Sequence, residues 1–411
     1  MPSLTEKLKQ LGVQVGTSQI QSPANHSGAP RSLVDVLSGE WESTAQGDCF
    51  VVRKEIPSHT SHGLIDLSGP PDLAFFESLK ELKGISGISP EDFLFIDTET
   101  TGLSGGAGTY VFLIGAAKYI NNSLDFAQFF LQDPGSESAQ LAALESFTAS
   151  TKIVISYNGK SFDLPRIKTR YQYHGWPNPF DNVFHIDLLH FARRIWKARL
   201  PSCTLGDLER NILRLERHSL DIPGYKVSEY FYQYLHTQDP APLENIFYHN
   251  EIDVLSLAAL LVHLTDRLSS PMKHHSRFGN NPELIDIAKY YYSIQLYQEA
   301  KEVLDAALTD PEFPDDALLE GKLCLASIFK KSGDYSSAAP IWEECAALGS
   351  FEALIELAKH AEHNLSDFEN AIHWTLSAIE LLDTLPAEKH ATLSGQLDHR
   401  LQRLKLKAKR K

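Results

Sequence analysis

The chain has 411 residues, of which 43% are hydrophobic and 22% are charged. This composition excludes a globally disordered chain, and the length suggests two or three domains of about 100–200 residues each. No apolar run approaches the roughly 20 residues of a membrane span, and the net charge of −15 argues against a protein that coats nucleic acid with its whole surface.

The N-terminal residues and the cysteines indicate the cellular compartment in which the protein acts. Residues 1–8 contain no apolar signal-peptide core, which argues against secretion. The four cysteines, Cys49, Cys203, Cys324 and Cys345, are far apart and form no CxxC pair, which disfavours a disulfide scaffold or a zinc knuckle. We therefore expect a cytoplasmic protein that does not associate with membranes.

Residues 1–85 are interpreted as an N-terminal extension that is partly loop-like. The segment 19–31 is rich in Ser, Pro, Gly and Asn, which is typical of a linker. A strand at 49–53 and a helix at 72–82 are the elements predicted here. The sequence offers no chemistry for this region.

Residues 86–270 are predicted to form a mixed α/β domain. Strands alternate with helices after an initial run of strands, which is typical of a mixed sheet with flanking helices. The predicted strands are 93–96, 110–117, 127–131 and 153–157, and the predicted helices are 141–148, 163–174, 187–197, 204–214 and 243–266.

Residues 280–395 have a helical pattern with an internal repeat. An aromatic residue followed three positions later by alanine recurs at spacings of 38 and 33 residues, at Tyr297/Ala300, Tyr335/Ala338 and Phe368/Ala371. A first helix is expected before each copy, at 283–294, 316–331 and 351–362. The period resembles that of tetratricopeptide repeats; the alternative is an amphipathic helical bundle. Residues 396–411 are expected to be a solvated basic tail.

Asp97 and Glu99 directly follow the apolar run at 93–96. Residues i and i+2 of a strand point to the same face, so these two carboxylates would repel each other unless a cation lay between them. Carboxylate oxygens suit Mg²⁺ or Mn²⁺. The alternative is an acidic pair at a sheet edge.

Two further acidic motifs follow. Asp163 comes soon after the turn residues Asn158-Gly159 and is expected in the first turns of a helix, where the helix dipole alone could favour it. His249 and Asp253 are four residues apart and share one face of a predicted helix. This pair could present an imidazole beside a metal ligand, or it could be a surface contact.

Together these motifs resemble the DEDD superfamily of 3′–5′ exonucleases, which has a ribonuclease H-like fold. Asp97 and Glu99 match its first motif, Asp163 its second and Asp253 its third. The segment 97–115 resembles the bacterial YprB-type branch, which joins a ribonuclease H-like domain to tetratricopeptide-like helices. The resemblance covers about residues 30–390.

The third motif departs from the superfamily pattern of His-x4-Asp or Tyr-x3-Asp. In this chain His249 lies four residues before Asp253, and Tyr248 lies five before it. The carboxylate is retained, but the two candidate bases have exchanged offsets. We expect His249 to orient the attacking water, with Tyr248 as the alternative.

The resemblance implies phosphodiester hydrolysis of DNA or RNA by two Mg²⁺ or Mn²⁺ ions, held by Asp97, Glu99, Asp163 and Asp253. We expect a single-stranded nucleic acid as substrate, and repeats that bind a partner protein or the nucleic acid. The residues expected to contact the substrate are Thr100, Leu103, Asn158, Lys160 and Phe162. The alternative is a non-catalytic nucleic-acid-binding or scaffold protein that acts through its helical repeats.

Residues 160–218 form a basic stretch. They contain 11 Lys and Arg against six acids, a balance of +5 in a chain of net charge −15. The aromatic residues Tyr171, Tyr173, Trp176 and Trp196 lie among them. This pattern favours backbone contact and base stacking, and the alternative is a set of ordinary amphipathic helices.

Overall fold

The protein is described from a computed structural model. The structure describes residues 31–409, apart from residues 58, 68–70, 72–86, 103–107, 122, 198, 220, 274–282, 310–313 and 383–386. The helix predicted at 72–82 and nearly all of the linker predicted at 19–31 lie outside the described residues. Leu103, one of the predicted substrate contacts, also lies outside them.

A seven-stranded mixed sheet forms the centre of the first half of the chain. Its strands are β1 (Glu40–Thr44), β2 (Gly47–Ile56), β5 (Phe93–Thr100), β6 (Val111–Ile120), β7 (Ser123–Phe130), β8 (Ile153–Ser156) and β9 (Phe184–Asp187); β3 (Ser61–His62) and β4 (Ile65–Asp66) form a separate short hairpin. The order across the sheet is β1-β2-β7-β6-β5-β8-β9. Strand β8 is parallel to β5 and to β9, and the other pairs are antiparallel.

Helices cover both faces of this sheet. They are α1 (Leu33–Leu37), α2 (Glu137–Thr148), α3 (Asp163–Tyr173), α4 (Leu188–Ile195), α5 (Leu205–Leu208), α6 (Gly224–Thr237) and α7 (Leu243–Ser269), with a π-helical turn at Glu209–Leu213. This architecture confirms the predicted ribonuclease H-like mixed sheet. Helix α6 was not predicted, because its run of Tyr, Phe and Val is also favourable in strands.

Strand β5 is buried on both faces over its first half, because each face packs against a helix. Phe93 and Phe95 pack with residues of α7, whereas Leu94 and Ile96 pack with residues of α2 and α3. The following four residues are only partly buried. The strand therefore ends at the margin of the core, with its acidic residues in reach of solvent.

The N-terminal region contributes to the same sheet. Strand β2 pairs with β7, with Phe50 opposite Phe130, and β1 extends the sheet beyond β2. The hairpin of β3 and β4 contacts the π-helical turn, where the Leu64 amide donates to the Leu213 carbonyl at 2.8 Å. Two strands of the seven-stranded sheet and the β3–β4 hairpin thus precede residue 86, the start predicted for the α/β domain.

The second half of the described chain is all helical. Its helices are α8 (Glu283–Ser293), α9 (Tyr297–Ala307), α10 (Asp315–Ser332), α11 (Tyr335–Ala347), α12 (Phe351–His363), α13 (Phe368–Leu381) and α14 (Ala387–Ala408). Helices α9, α11 and α13 begin at the predicted aromatic residues, and the alanine three positions later is fully buried in each. No helix of the described chain is both long and apolar enough to cross a bilayer.

The C-terminus differs from the predicted basic tail, because α14 continues to Ala408. The buried carboxylate of Glu362 on α12 accepts hydrogen bonds from Arg400 at 3.2 Å, Arg403 at 2.7 Å and Lys407 at 2.9 Å. These contacts fix part of the basic segment against the helical half.

The two halves share one core. Trp196, which is 1% exposed, donates from Nε1 to Glu283 Oε1 at 3.0 Å. Arg199 forms an ion pair with Glu283 at 3.2 Å, and the Tyr291 hydroxyl donates to the Leu268 carbonyl. The buried cluster around β5 extends without a break into α8, α9 and α10.

Candidate active site

Four predicted carboxylates meet beside the end of β5. They come from three elements: Asp97 and Glu99 from β5, Asp163 from the first position of α3, and Asp253 from α7. Burial raises the pKa of Asp97 and of Glu99 well above the ordinary values, and the charges of Asp253 and Asp163 raise both further. The four groups therefore lie close enough to repel one another.

The other two carboxylates are shifted in the same direction. Burial raises the pKa of Asp163 to about 6, even though a hydrogen bond from Thr98 opposes the shift. Burial also raises the pKa of Asp253. The fold thus concentrates negative charge at one place, a condition that a bound cation would relieve.

Buried amides orient Asp97. Asn250 Nδ2 donates to Asp97 Oδ2 at 3.0 Å, and Asn250 Oδ1 accepts from Gln128 Nε2 at 3.0 Å. Gly115 lies opposite Asp97 in the sheet, and a Cβ at this position would lie 2.2 Å from Asn250 Oδ1. The absence of a side chain at Gly115 therefore allows the amide to reach Asp97.

Asp163 is positioned by its neighbours on β5 and β8. Thr98 Oγ1 donates to Asp163 Oδ1. At Gly159, just after β8, a Cβ would lie 2.3 Å from Ser156 Oγ and 3.1 Å from Asp163 Oδ2. Glycine at this position lets α3 begin close to the end of β8.

An arginine that sequence analysis did not single out contacts Asp253. Arg217 donates to both carboxylate oxygens of Glu209 at 2.6 Å and to Asp253 Oδ1. Glu209 is 1% exposed and also accepts from Ser256 Oγ at 2.6 Å. Ser256 Oγ lies 2.8 Å from Nε2 of His62, whose pKa burial lowers to about 4. This chain of contacts links the β3–β4 hairpin to the site.

His249, and not Tyr248, lies among the carboxylates. His249 Nε2 is 3.7 Å from Asp253 Oδ2 and 4.0 Å from Glu99 Oε1. The Tyr248 hydroxyl accepts a hydrogen bond from the amide of His218 at 2.8 Å. The geometry therefore favours His249 as the candidate base.

Two predicted substrate contacts form the loop after β8. Asn158 has a left-handed backbone with φ of 61°, and its amide donates to Asp187 Oδ1 at 2.7 Å. The Lys160 amide donates to Asp187 Oδ2 at 3.1 Å. Asp187 is buried and serves to hold this loop, while the Lys160 side chain is exposed.

The other predicted substrate contacts that the structure describes, Phe162 and Thr100, flank the carboxylates. The Phe162 ring is 40% exposed, and the Arg166 guanidinium lies 4.8 Å from its centroid. Thr100 is at the end of β5, where its hydroxyl donates to the Gly102 carbonyl at 3.0 Å. An exposed aromatic ring beside a cation is a surface on which a base can stack.

The basic stretch is used partly for structure. Ion pairs within the chain involve Lys168, Arg170, Arg199, Arg210 and Arg217. Tyr171 and Trp196 are 0% and 1% exposed, so the stacking role expected for these two rings is wrong, because both pack in the core. Tyr173 is 64% exposed.

Some of the residues that contact the site but were not predicted from the sequence could have been recognised there. Asn250 directly follows His249, and Gln128 is a polar residue within the apolar strand β7. Arg217 and Glu209 carried no sequence signal, because ordinary amphipathic helices explain such residues equally well. Only the path of the chain after α5 brings them to Asp253.

The four carboxylates are not spaced as the ligands of a bound metal ion would be. Among the residues that the structure describes, no three His, Cys, Asp or Glu side chains are placed so that they could hold a metal ion as they stand. Mutual repulsion of uncompensated charges opposes such closure.

Comparisons with known proteins bear on the same region. A family model described as the RNase H superfamily matches residues 94–265, which include all four carboxylates. The uncharacterized protein YprB of Bacillus subtilis (strain 168) is 32% identical over 337 residues, covering 79% of this chain and 78% of YprB. A match of that length extends beyond the RNase H segment into the helical half.

Proposed function

The chain belongs to the family of YprB, with an RNase H superfamily domain, and on this premise we propose that it is a divalent-metal-dependent 3′–5′ exonuclease of the DEDD type. The superfamily points to an enzyme that cleaves nucleic acid. The finer assignment is carried by one observation: four carboxylates from three elements meet at the end of β5, where the charges of Asp163 and Asp253 raise the pKa values of Asp97 and Glu99.

The donor set fits hard divalent cations. Mg²⁺ and Mn²⁺ prefer carboxylate oxygens, and a cation would reverse the repulsion that raises these pKa values. The residues that would hold two such ions are Asp97, Glu99, Asp163 and Asp253. When bound, two ions activate a water molecule and stabilise the leaving oxygen of a phosphodiester.

The chain's own groups would supply orientation and a proton acceptor. His249 Nε2 is directed toward Asp253 and Glu99, where it could accept or orient the proton of an attacking water. Asn250 and Arg217 each hold one oxygen of an aspartate by a hydrogen bond. Hydrolysis from a 3′ end would release nucleoside 5′-monophosphates.

The proposed substrate is single-stranded DNA or RNA. The exposed Phe162 ring with Arg166 against it suits stacking of one base. The side chain of Lys160 is exposed on the neighbouring loop and suits a phosphate. Thr100 and Leu103 are proposed to complete the contacts with the terminal nucleotide.

For the helical half we propose tetratricopeptide-like repeats in residues 280–395, after an exonuclease domain in residues 86–270 whose sheet also includes β1 and β2. Buried alanines where paired helices approach each other support this proposal. The repeats would bind a protein partner, and the protein would act in the cytoplasm.

The test is degradation of 5′-labelled single-stranded DNA and RNA by the full chain with Mn²⁺ or Mg²⁺. Asp97→Asn and an EDTA sample are the controls, and circular single strands separate exonuclease from internal cleavage. A descending ladder absent from both controls is the expected result.

Two outcomes would contradict the proposal. Cleavage of circular strands would replace an exonuclease with an endonuclease that uses the same carboxylates. No cleavage, together with no metal-dependent rise in unfolding temperature, would favour a non-catalytic nucleic-acid-binding or scaffold protein.

A further inference from the structure

The His249 ring has a different environment at each nitrogen. Nδ1 lies 2.7 Å from Asp221 Oδ1, whereas Nε2 lies 3.7 Å from Asp253 Oδ2 and 4.0 Å from Glu99 Oε1. Asp221 belongs to the loop before α6, 28 residues ahead of His249 in the chain. One edge of the ring therefore contacts Asp221, while the other is directed at two of the proposed metal ligands.

The contact with Asp221 selects one tautomer of the neutral imidazole. A carboxylate only accepts hydrogen bonds, so Nδ1 carries the hydrogen and Nε2 carries the lone pair. Arg217 Nη1 lies 3.1 Å from Nδ1, but a guanidinium only donates and cannot bond to a protonated Nδ1. Arg217 Nη1 instead donates to Asp221 Oδ1, at 3.3 Å.

Arg217 is itself firmly anchored. Burial alone would lower its pKa, but hydrogen bonds to Glu209 and attraction to Asp253 raise it, so the group is a permanent cation. Both Glu209 oxygens accept from Arg217 at 2.6 Å, and the Glu209 side chain is buried. The cation that approaches Asp221 is therefore fixed in place by a group outside the carboxylate cluster.

We propose that Asp221 and Arg217 are positioning residues, which hold His249 as the Nδ1–H tautomer and direct its Nε2 lone pair toward the proposed metal ligands. The inference deepens the proposed function and rests on it. Neither residue touches the reacting atoms. Asp221 acts through His249, and Arg217 acts through Asp221 while it also donates to Asp253. A proton acceptor oriented by a third group is the recurrent arrangement of activated nucleophiles.

The kinetic test uses the full chain on a single-stranded oligonucleotide. Asp221→Ala removes the acceptor and is expected to lower kcat about 10- to 100-fold, part of the roughly 10²- to 10⁴-fold that a positioned base contributes, with KM changed less than about twofold. Asp221→Asn keeps an oxygen to which Arg217 can donate, and should retain kcat within about tenfold of wild type. Asp305→Asn, in an exposed pair with Lys301 on α9, is the matched control.

A second readout does not depend on catalysis. Imidazole nitrogen NMR of ¹⁵N-histidine-labelled protein reports the tautomer, and the His249 signals are assigned by their loss in His249→Asn. Wild type and Asp221→Asn should show one Nδ1–H tautomer, whereas Asp221→Ala should show exchange between tautomers.

The outcomes separate the two proposals. If wild type cleaves no polymer but Asp221→Ala still changes the tautomer, the proposed function fails and the positioning stands. If the Asp221→Ala tautomer and kcat both match wild type, the positioning role is overturned and the exonuclease stands. If Asp221→Ala does not fold, Asp221→Asn decides: an Nε2–H tautomer in that variant or in wild type would overturn the proposal.

Discussion

Asp163→Asn should stabilise the metal-free protein. In the folded chain the carboxyl has a pKa of about 6, against 3.8 for the ordinary group, and its side chain is nearly buried. Because the unfolded chain ionises first as the pH rises, the folded state loses stability between these two values. The penalty is about 1.5 kcal/mol at pH 5 and about 3 kcal/mol at pH 8.

The substitution removes this penalty and keeps an oxygen that accepts from Thr98. We therefore expect Asp163→Asn to gain about 1–3 kcal/mol at pH 8 in EDTA and roughly half as much at pH 5. The assay is urea unfolding followed by tryptophan fluorescence. With Mn²⁺ present, wild type should be more stable than Asp163→Asn, because the variant lacks one of the four proposed metal ligands.

A matched control is Asp181→Asn. This exposed aspartate has its pKa lowered by hydrogen bonds from Lys168 and Asn178, so its substitution should slightly destabilise the protein at both pH values. An Asp163→Asn variant less stable than wild type at pH 8, or a gain in stability that did not grow between pH 5 and pH 8, would refute a burial penalty at Asp163.

Three further predictions follow from the same contacts. Adding Mn²⁺ at about a hundredfold over its Kd should stabilise wild type by about 3 kcal/mol, and EDTA should abolish this gain. An unchanged midpoint of urea unfolding would contradict a metal site. Gly115→Ala should lose about 1–3 kcal/mol and displace Asn250, whereas Gly395→Ala, whose Cβ would meet nothing within 4 Å, should lose no stability. Glu137→Gln should lose about 3–5 kcal/mol in urea unfolding, because it removes the carboxylate charge that balances the buried Arg170 guanidinium; replacing both residues by apolar ones should recover most of the loss.

Secondary structure could be predicted from the sequence where a pattern repeats or where residue types change abruptly. Four apolar residues followed by Asp97 and Glu99 predicted a buried strand that ends in acids, and β5 has this form. Recurring aromatic–alanine pairs located the second helix of three hairpins, because close helix approach requires a small residue there. Local patterns of this kind depend on few neighbours.

Contacts between distant segments could not be predicted in the same way. Arg217 and Asp221 lie outside any motif, and they reach His249 only because the chain turns back after the π-helical segment. Trp196 looked like a stacking residue in a basic stretch, but its ring is buried beside Glu283 in a core that both halves of the chain build. Neither the contacts around His249 nor the burial of Trp196 follows from a repeat or a fixed spacing in the sequence.

The shared core has a consequence for how the protein is made. Helix α7 carries His249 and Asp253 near its start. Its last turn accepts a hydrogen bond from Tyr291 of α8 at the Leu268 carbonyl, and its later turns belong to a buried cluster that extends to Ile328 of α10. A nascent chain cannot complete the burial of α7 until those later helices have left the ribosome. His249 and Asp253 therefore reach their final positions late in translation, after most of the polypeptide has been synthesised.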